Sequence, residues 1–199
     1  MSQSAQKSAE KPSLGREDWL KATLALLAET GGPEGIRIDA LCRRLGVTKG
    51  SFYWHFKSRS DLIDSLIDYW SGQFHHDVQA ELGTVPSDQP LAFLQALTDF
   101  WRSGSFASTD AAMRRWAATD PRVAQAIASA DHIIMDRMVE MFQGLGKSAA
   151  EARDLAFVLI AIGVATPQLA HLRDTSTPLA EEQEAQYVLR LILGNSENR

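Results

Sequence analysis

Residues 46–62 read GVTKGSFYWHFKSRSDL and combine hydrogen-bond donors, positive charge and a run of ring-bearing side chains. Lys49, Gly50 and Ser51 come first, and they are extended donors or small residues that can approach base edges closely. A helix that enters the major groove of DNA reads bases at such an end. The flank that follows offers side chains suited to phosphates: Tyr53, Trp54, His55 and Lys57. The stretch therefore predicts a DNA-reading helix.

Two short helices joined by a tight corner are expected to position these side chains. Ile38, Leu41, Cys42 and Leu45 follow the i, i+3, i+4, i+7 pattern of a helix, which Gly46 should end. Thr48 can cap the next helix, over 49–55. The corner between them, 46–48, is typical of a helix-turn-helix.

The rings of this stretch have a competing interpretation as ordinary core residues. Phe52 and Phe56 lie four apart and are predicted to face inward, whereas Trp54 fits either role. Cys42 is read as a small core residue rather than a reactive thiol, and a single cysteine excludes an internal disulfide.

Residues 14–66 resemble the DNA-binding domain of the TetR family of bacterial transcriptional repressors, through GVTKGSFYWHFKSRSDLIDSL. The resemblance implies a three-helix DNA-binding head and a helical body that binds a small molecule and forms dimers. Arg37 stands where many members place Ser or Thr, so Asp39 or no side chain caps the second helix, and Arg37 can instead touch phosphate. The predicted DNA contacts are Arg37, Thr48, Lys49, Gly50, Ser51, Tyr53, Trp54, His55 and Lys57.

Charge divides the chain into two parts of opposite sign. Residues 1–60 hold 10 Lys and Arg against 6 Asp and Glu, a net +4, and residues 61–199 hold 10 against 19, a net −9. We predict a disordered tail at 1–13, a helix-turn-helix domain at 14–60 and an effector-binding and dimerisation domain at 61–199. No leader or membrane span is evident, which predicts a cytoplasmic protein without a membrane partner.

Helical periodicity continues through the rest of the chain and predicts an all-α fold. A long helix is expected over 59–82 and another from Pro90 to an end at Gly104. A shorter helix over 111–119 and one from Pro121 to about Phe142 should follow. Capping patterns at Ser148 and Ser176 predict two more helices.

Aromatic and thioether side chains are abundant in this body and suit an apolar pocket, although each alone also fits a core. The predicted lining is Trp70, Phe74, Phe93, Phe100, Trp101, Met113, Trp116, Met138 and Phe142. His75 and His76 are adjacent and point about 100° apart on a helix, so neither a metal site nor another cofactor is expected.

The last two predicted helices carry small and apolar residues that suit close packing in a homodimer; packing within one chain is the alternative. The expected interface is Leu155, Ala156, Leu159, Gly163, Val164, Val188, Leu191 and Ile192. Two heads related by twofold symmetry would read a palindromic operator.

These features favour a dimeric repressor that a small apolar effector releases from double-stranded DNA. A constitutive or architectural DNA-binding protein without a ligand is the alternative. An enzyme is not expected, because no phosphate-binding glycine loop, nucleophile elbow or HExxH motif occurs in the sequence.

Overall fold

The computed structural model describes residues 14–86, 89–102 and 104–165, and every regular element within these ranges is helical. The α-helices are α1 (Arg16–Thr30), α2 (Ile38–Leu45), α3 (Lys49–His55), α4 (Arg59–Glu81), α5 (Pro90–Arg102), α6 (Gly104–Ala117), α7 (Pro121–Gly144) and α8 (Ala149–Ala165). A single 3-10 turn, Pro33–Gly35, separates α1 from α2. The predicted all-α class is confirmed. The tail at 1–13 and the helix predicted after Ser176 lie outside the described residues.

Rings from α1 and α3 form the centre of the head. Phe52 and Phe56 are buried, as the sequence predicts, and the ring centroid of Trp19 lies 5.5 Å and 6.5 Å from theirs. Arg16 covers the Phe56 ring at 4.4 Å and donates a hydrogen bond of 2.6 Å to the carbonyl of His55. Since a helix as short as α3 is unstable by itself, these contacts fix its orientation.

Backbone geometry, rather than side-chain caps, shapes the corner between α2 and α3. Gly46 adopts φ +67°, the left-handed conformation that ends α2. Thr48 occupies the N-cap position of α3, but its side chain accepts no capping hydrogen bond, so the predicted cap is wrong in that detail. Arg37 precedes α2 and likewise provides no side-chain cap, which leaves it exposed toward solvent.

Helix α4 begins inside the head and continues into the body. The hydroxyl of Ser58 accepts a hydrogen bond from the Asp61 backbone N–H at 3.1 Å. The Asp61 carboxylate accepts one from the Lys57 N–H at 2.8 Å, and this bond lowers the pKa of Asp61. The 23 residues of the helix span about 35 Å at 1.5 Å per residue. One rigid element thus crosses the boundary predicted between residues 60 and 61.

The region around Gly104 differs from the sequence expectation. Gly104 was expected to end a helix, but it is itself helical and belongs to α6, whose described residues run to Ala117 in place of the short helix predicted over 111–119. An ion pair one turn apart, Arg114 to Asp110 at 2.8 Å, supports the unpredicted turns of this helix.

Helices α7 and α8 begin as the sequence predicts. Asp120 accepts a hydrogen bond from the Arg122 N–H at 3.0 Å, with Pro121 at the first helical position. Ser148 and Glu151 form a reciprocal capping box, with bonds of 3.3 Å and 3.0 Å, which lowers the pKa of Glu151. Helix α8 packs mainly on α7, which also contacts α4, α5 and α6 and so lies at the centre of the described body.

Candidate DNA interface and effector cavity

The outer face of α3 presents large side chains to solvent. Trp54 is 86% exposed and Tyr53 is 57% exposed, whereas Phe52 between the same turns is fully buried. An exposed tryptophan of this size on a helix that follows a helix-turn-helix corner has no role in the core. Lys49, Gly50 and Lys57 are exposed on the same part of the head, and Ser51 is half-buried. The structure therefore brings most of the predicted DNA contacts to one surface.

Lys49 has a carboxylate partner on α2. Its Nζ lies 2.8 Å from Oδ1 of Asp39, and both side chains are more than half exposed. The hydrogen bond raises the pKa of Lys49 and lowers the pKa of Asp39. The two residues form an ion pair across the corner. The sequence did not predict this contact, because nothing in it places Asp39 beside the start of α3.

His55, predicted to contact phosphate, and the nearby Arg59 both make contacts inside the head. The His55 ring is half-buried with its centroid 6.2 Å from that of Trp19, so it packs on α1 more than it faces outward. Arg59 donates hydrogen bonds of 2.8 Å and 2.7 Å to the carbonyls of Ile36 and Pro33. Arg59 thus ties α4 to the loop before α2.

A partly open cavity of 590 Å³ lies where the head meets the body. Four helices form it: α1 supplies Lys21, Leu24, Ala25, Ala28 and Glu29; α4 supplies Tyr69, Trp70, Gln73, Phe74, Asp77 and Glu81; α5 supplies Asp99 and Phe100; and α6 supplies Ser108 and Thr109. Its volume falls in the range of sites for drug-sized ligands. A ligand here would touch a helix of the head and three helices of the body at once.

Only three residues of the predicted lining border this cavity: Trp70, Phe74 and Phe100. The other predicted residues whose side chains are described are buried in the core: Phe93, Met113, Trp116, Met138 and Phe142. None of these five side chains borders this cavity, so their part in ligand binding stays a prediction. The side chain of Trp101 lies outside the described part of the chain.

The cavity lining is rich in carboxylates as well as rings. Trp70 and Phe74 have ring centroids 5.6 Å apart, and Phe74 and Phe100 are 5.9 Å apart. Asp77 accepts a hydrogen bond of 2.7 Å from Gln73 one turn away, and Nδ1 of His76 lies 3.3 Å from the same carboxylate. The sequence did not predict the carboxylates or any lining residue on α1, because the alanines and leucine of that helix look like ordinary core residues.

Two arginines link helices around this junction. Arg115 of α6 donates a hydrogen bond of 2.9 Å to the carbonyl of Gly31, at the left-handed end of α1. Arg122 at the start of α7 forms an ion pair with Asp64 of α4. These contacts join α6 to α1 and α7 to α4.

A charged cluster joins α6 to α7 beside the cavity. Arg114 reaches Asp110 at 2.8 Å and Asp131 at 2.6 Å. Burial raises the pKa of Asp110. Burial by itself would lower the pKa of Arg114, but its hydrogen bonds to Asp131 and Asp110 raise it overall. The guanidinium is thus held by two carboxylates in a mostly buried setting.

The predicted dimer residues on α8 divide between two faces. Ala156 and Leu159 are buried within the chain, and Leu155, Gly163 and Val164 are half-buried. The first two are corrected as dimer contacts, because their packing on α7 leaves them no surface for a partner. The exposed apolar face of α8 instead carries Phe157, Val158 and Ile162, at 64%, 45% and 42%. Val188, Leu191 and Ile192 lie outside the described residues.

Other kinds of site find no support in the described residues. Across 14–86, 89–102 and 104–165, no three His, Cys, Asp or Glu side chains come together as metal ligands. Within the same ranges, no helix combines the length and the apolar character needed to cross a membrane. Cys42 is buried, and burial raises the pKa of its thiol, in agreement with its prediction as a core residue.

Comparison with known proteins identifies the head. Residues 20–66 match the sequence profile of "Bacterial regulatory proteins, tetR family". Over 55 residues the chain is 40% identical to the tetracycline repressor protein class C of Escherichia coli, a match that covers 28% of this chain and 25% of that protein. The match thus spans about a quarter of the curated repressor, so it concerns the head and not the body.

Solved structures extend the likeness to the rest of the fold. A transcriptional regulator from Rhodococcus sp. Rha1 matches with a TM-score of 0.66 and 18% identity, over 90% of this chain and 96% of that one. A TetR-family transcriptional regulator from Marinobacter aquaeolei VT8 matches with a TM-score of 0.63 and 16% identity, over 90% and 89%. At such identities the likeness shows the fold alone. The chain thus carries, at residues 20–66, a segment that matches the DNA-binding domain of the TetR family, and its helical fold is similar to that of a solved TetR-family regulator.

Proposed function

We propose that the chain is a dimeric, sequence-specific DNA-binding regulator, most simply a repressor, that a small molecule in the cavity releases from its operator. The observation that carries the proposal is the cavity at the junction of head and body, lined by α1 and α4 together. The family is one of DNA-binding regulators rather than enzymes.

The exposed face of α3 is the proposed reading surface. Lys49, Gly50 and Ser51 stand at the N-terminal end of the helix, where side chains reach base edges in a major groove. Tyr53, Trp54 and Lys57 flank them and are exposed, so they can contact the sugar and phosphate backbone. Arg37 and Thr48 lie exposed at the starts of α2 and α3 and extend the same surface.

The junction offers a direct route from ligand to DNA. A ligand in the cavity contacts α1 at Ala25 and Ala28 and α4 at Trp70 and Phe74, so it changes the distance between the two helices. Because α4 continues into the head, a small rotation there alters the spacing of two recognition helices in a dimer. Tenfold loss of operator affinity requires about 1.4 kcal/mol of differential binding by the ligand.

The dimer is proposed to form through the exposed apolar face of α8. Phe157 is the most exposed large apolar side chain of the described body. Phe157→Asp places a charge in the proposed interface, and sedimentation should then report monomers. Arg153→Ala, a change at an exposed residue of the same helix, serves as the control and should remain dimeric. A dimer that survives Phe157→Asp would remove this face from the proposal.

Selection of bound sequences from a random DNA pool, at a stated physiological salt, tests the DNA-binding function. We expect enrichment of a palindrome whose half-sites are about one helical turn, roughly 34 Å, or a multiple of it apart. Lys49→Ala should change the preferred bases. Binding without enrichment would favour the alternative, an architectural or constitutive DNA-binding protein, which has the same head but binds no effector.

A further inference from the structure

The charge of the cavity lining indicates what kind of ligand it takes. Four carboxylates, Glu29, Asp77, Glu81 and Asp99, border the cavity against the single ammonium of Lys21, a net charge of −3. Glu29 and Lys21 already have partners of opposite charge: Arg44 lies 2.8 Å from Glu29, and Glu17 lies 2.8 Å from Lys21.

Asp77, Glu81 and Asp99 stand beside the aromatic floor of the cavity; Asp77 and Asp99 accept hydrogen bonds from the uncharged amides of Gln73 and Gln95, and His76 lies beside Asp77. Trp70, Phe74, Asp77 and Glu81 are spaced by three, four and seven residues, so they share one face of α4. Along the helix axis Asp77 lies about 4.5 Å from Phe74 and about 10 Å from Trp70, at 1.5 Å per residue. Asp99 and Phe100 of α5 repeat the pairing of a carboxylate with a ring on the opposite wall.

This combination selects against other ligand classes. An anion would be repelled by the carboxylates, and a neutral apolar ligand would gain no electrostatic attraction from them. A metal ion needs several ligands within bonding distance, and the described side chains form no such group. Separated carboxylates beside ring faces instead suit a diffuse positive charge, which aromatic faces also attract.

We infer that the cavity binds a lipophilic organic cation, with its aromatic or apolar part on Trp70, Phe74 and Phe100 and its positive charge toward Asp77, Glu81 and Asp99. The inference rests on the proposed function in one respect: the bound cation is the effector that releases DNA. Its charge preference can be measured without any DNA.

Tetraphenylphosphonium and tetraphenylborate provide matched probes, because the two ions have nearly the same size and shape and opposite charge. Calorimetric titration of the full-length protein with each, in a sodium buffer, measures the preference directly. We expect the phosphonium to bind and the borate to bind at least tenfold more weakly. Equal binding of the two ions, stronger binding of the borate, or no binding of the phosphonium would overturn the inference.

Substitution locates the site. Asp77→Asn keeps an acceptor for Gln73 and removes the charge, and it should weaken phosphonium binding about fivefold, which corresponds to about 1 kcal/mol. Asp68→Asn changes an exposed carboxylate of the same helix outside the cavity lining and should leave binding unchanged. An equal effect of both substitutions would indicate a general charge effect and would contradict the site.

Operator binding then separates this inference from the proposed function. If the phosphonium binds with the expected charge preference and releases DNA, both stand. If it binds in the same way and leaves operator affinity unchanged, the cation site stands and the release mechanism fails. If the borate, and not the phosphonium, releases DNA, the regulator stands and the cation site is wrong.

Discussion

Asp39→Asn should make binding to non-specific DNA more dependent on salt. In the free protein the Asp39 carboxylate holds Lys49 at 2.8 Å, at the start of the helix proposed to read bases. On non-specific DNA, where no base pattern engages Lys49, the lysine can contact a phosphate only after it leaves this partner, and the freed carboxylate then recruits a cation from solution. Uptake of this cation offsets the one counterion that the DNA releases, so the contact adds nothing to the salt dependence of binding. In Asp39→Asn no cation is taken up, and each contact between Lys49 and a phosphate contributes its full share.

The size of the effect follows from counterion release. Each phosphate neutralised by a cationic side chain contributes about 0.9 to the slope of log affinity against log salt. Two Lys49 side chains in a dimer therefore steepen the slope for non-specific DNA by about 1.8. Over a fourfold range of salt, such as about 50 to 200 mM, this additional slope corresponds to about a twelvefold larger loss of affinity.

Fluorescence anisotropy with a random-sequence duplex, measured at several salt concentrations, gives the slope. The steepening should disappear when Asp39→Asn is introduced into a Lys49→Ala background, since it acts through that lysine. An unchanged slope in the single variant, or the same steepening without Lys49, would refute the assigned role of the pair.

Three further outcomes are expected. Phe52→Ala should lower the free energy of unfolding by about 3–5 kcal/mol, whereas Trp54→Ala should change it by less than about 0.5 kcal/mol; urea unfolding of both compares buried with exposed rings. Arg114→Ala should cost about 2–4 kcal/mol. Burial raises the pKa of Asp110, so the folded state binds this proton more tightly than the unfolded state does. The free energy of unfolding of this variant should therefore fall as the pH rises above about 4, and urea titrations between pH 4 and 7 measure the decrease. Lys57→Ala should weaken binding to all DNA and flatten the salt slope by about 0.9 per protomer, and a slope equal to that of the wild-type protein would exclude a phosphate contact.

Local signals in the sequence predicted the head well. Gly46 marks the end of α2 by the backbone conformation it alone adopts cheaply, and Phe52 and Phe56 face inward because their spacing places them on one side of a short helix. Ser148 and Glu151 predicted the start of α8 through a capping box that forms as expected. Each of these signals depends on residues within one or two turns of each other.

Features that depend on distant residues were not predictable in this way. Phe93 and Phe100 lie on one helix and look alike in sequence, yet Phe100 borders the cavity and Phe93 is core, because the packing of other helices decides between them. Ala156 was expected at a dimer interface because small residues permit close approach, but α7 within the same chain uses that approach. The ion pair between Lys49 and Asp39 forms only because the corner places the start of α3 beside α2, and no local sequence signal reports that arrangement.

The central claim is that the state of the cavity between head and body controls DNA binding, and the operator affinity of Ala28→Phe tests it most directly. Ala28 belongs to α1 and lines the cavity, so the larger side chain should act as a built-in ligand. Ala118→Phe, at an exposed position outside the cavity, is the control. The account predicts at least about tenfold weaker operator binding for Ala28→Phe alone. Wild-type operator affinity in a folded, dimeric Ala28→Phe protein would contradict it.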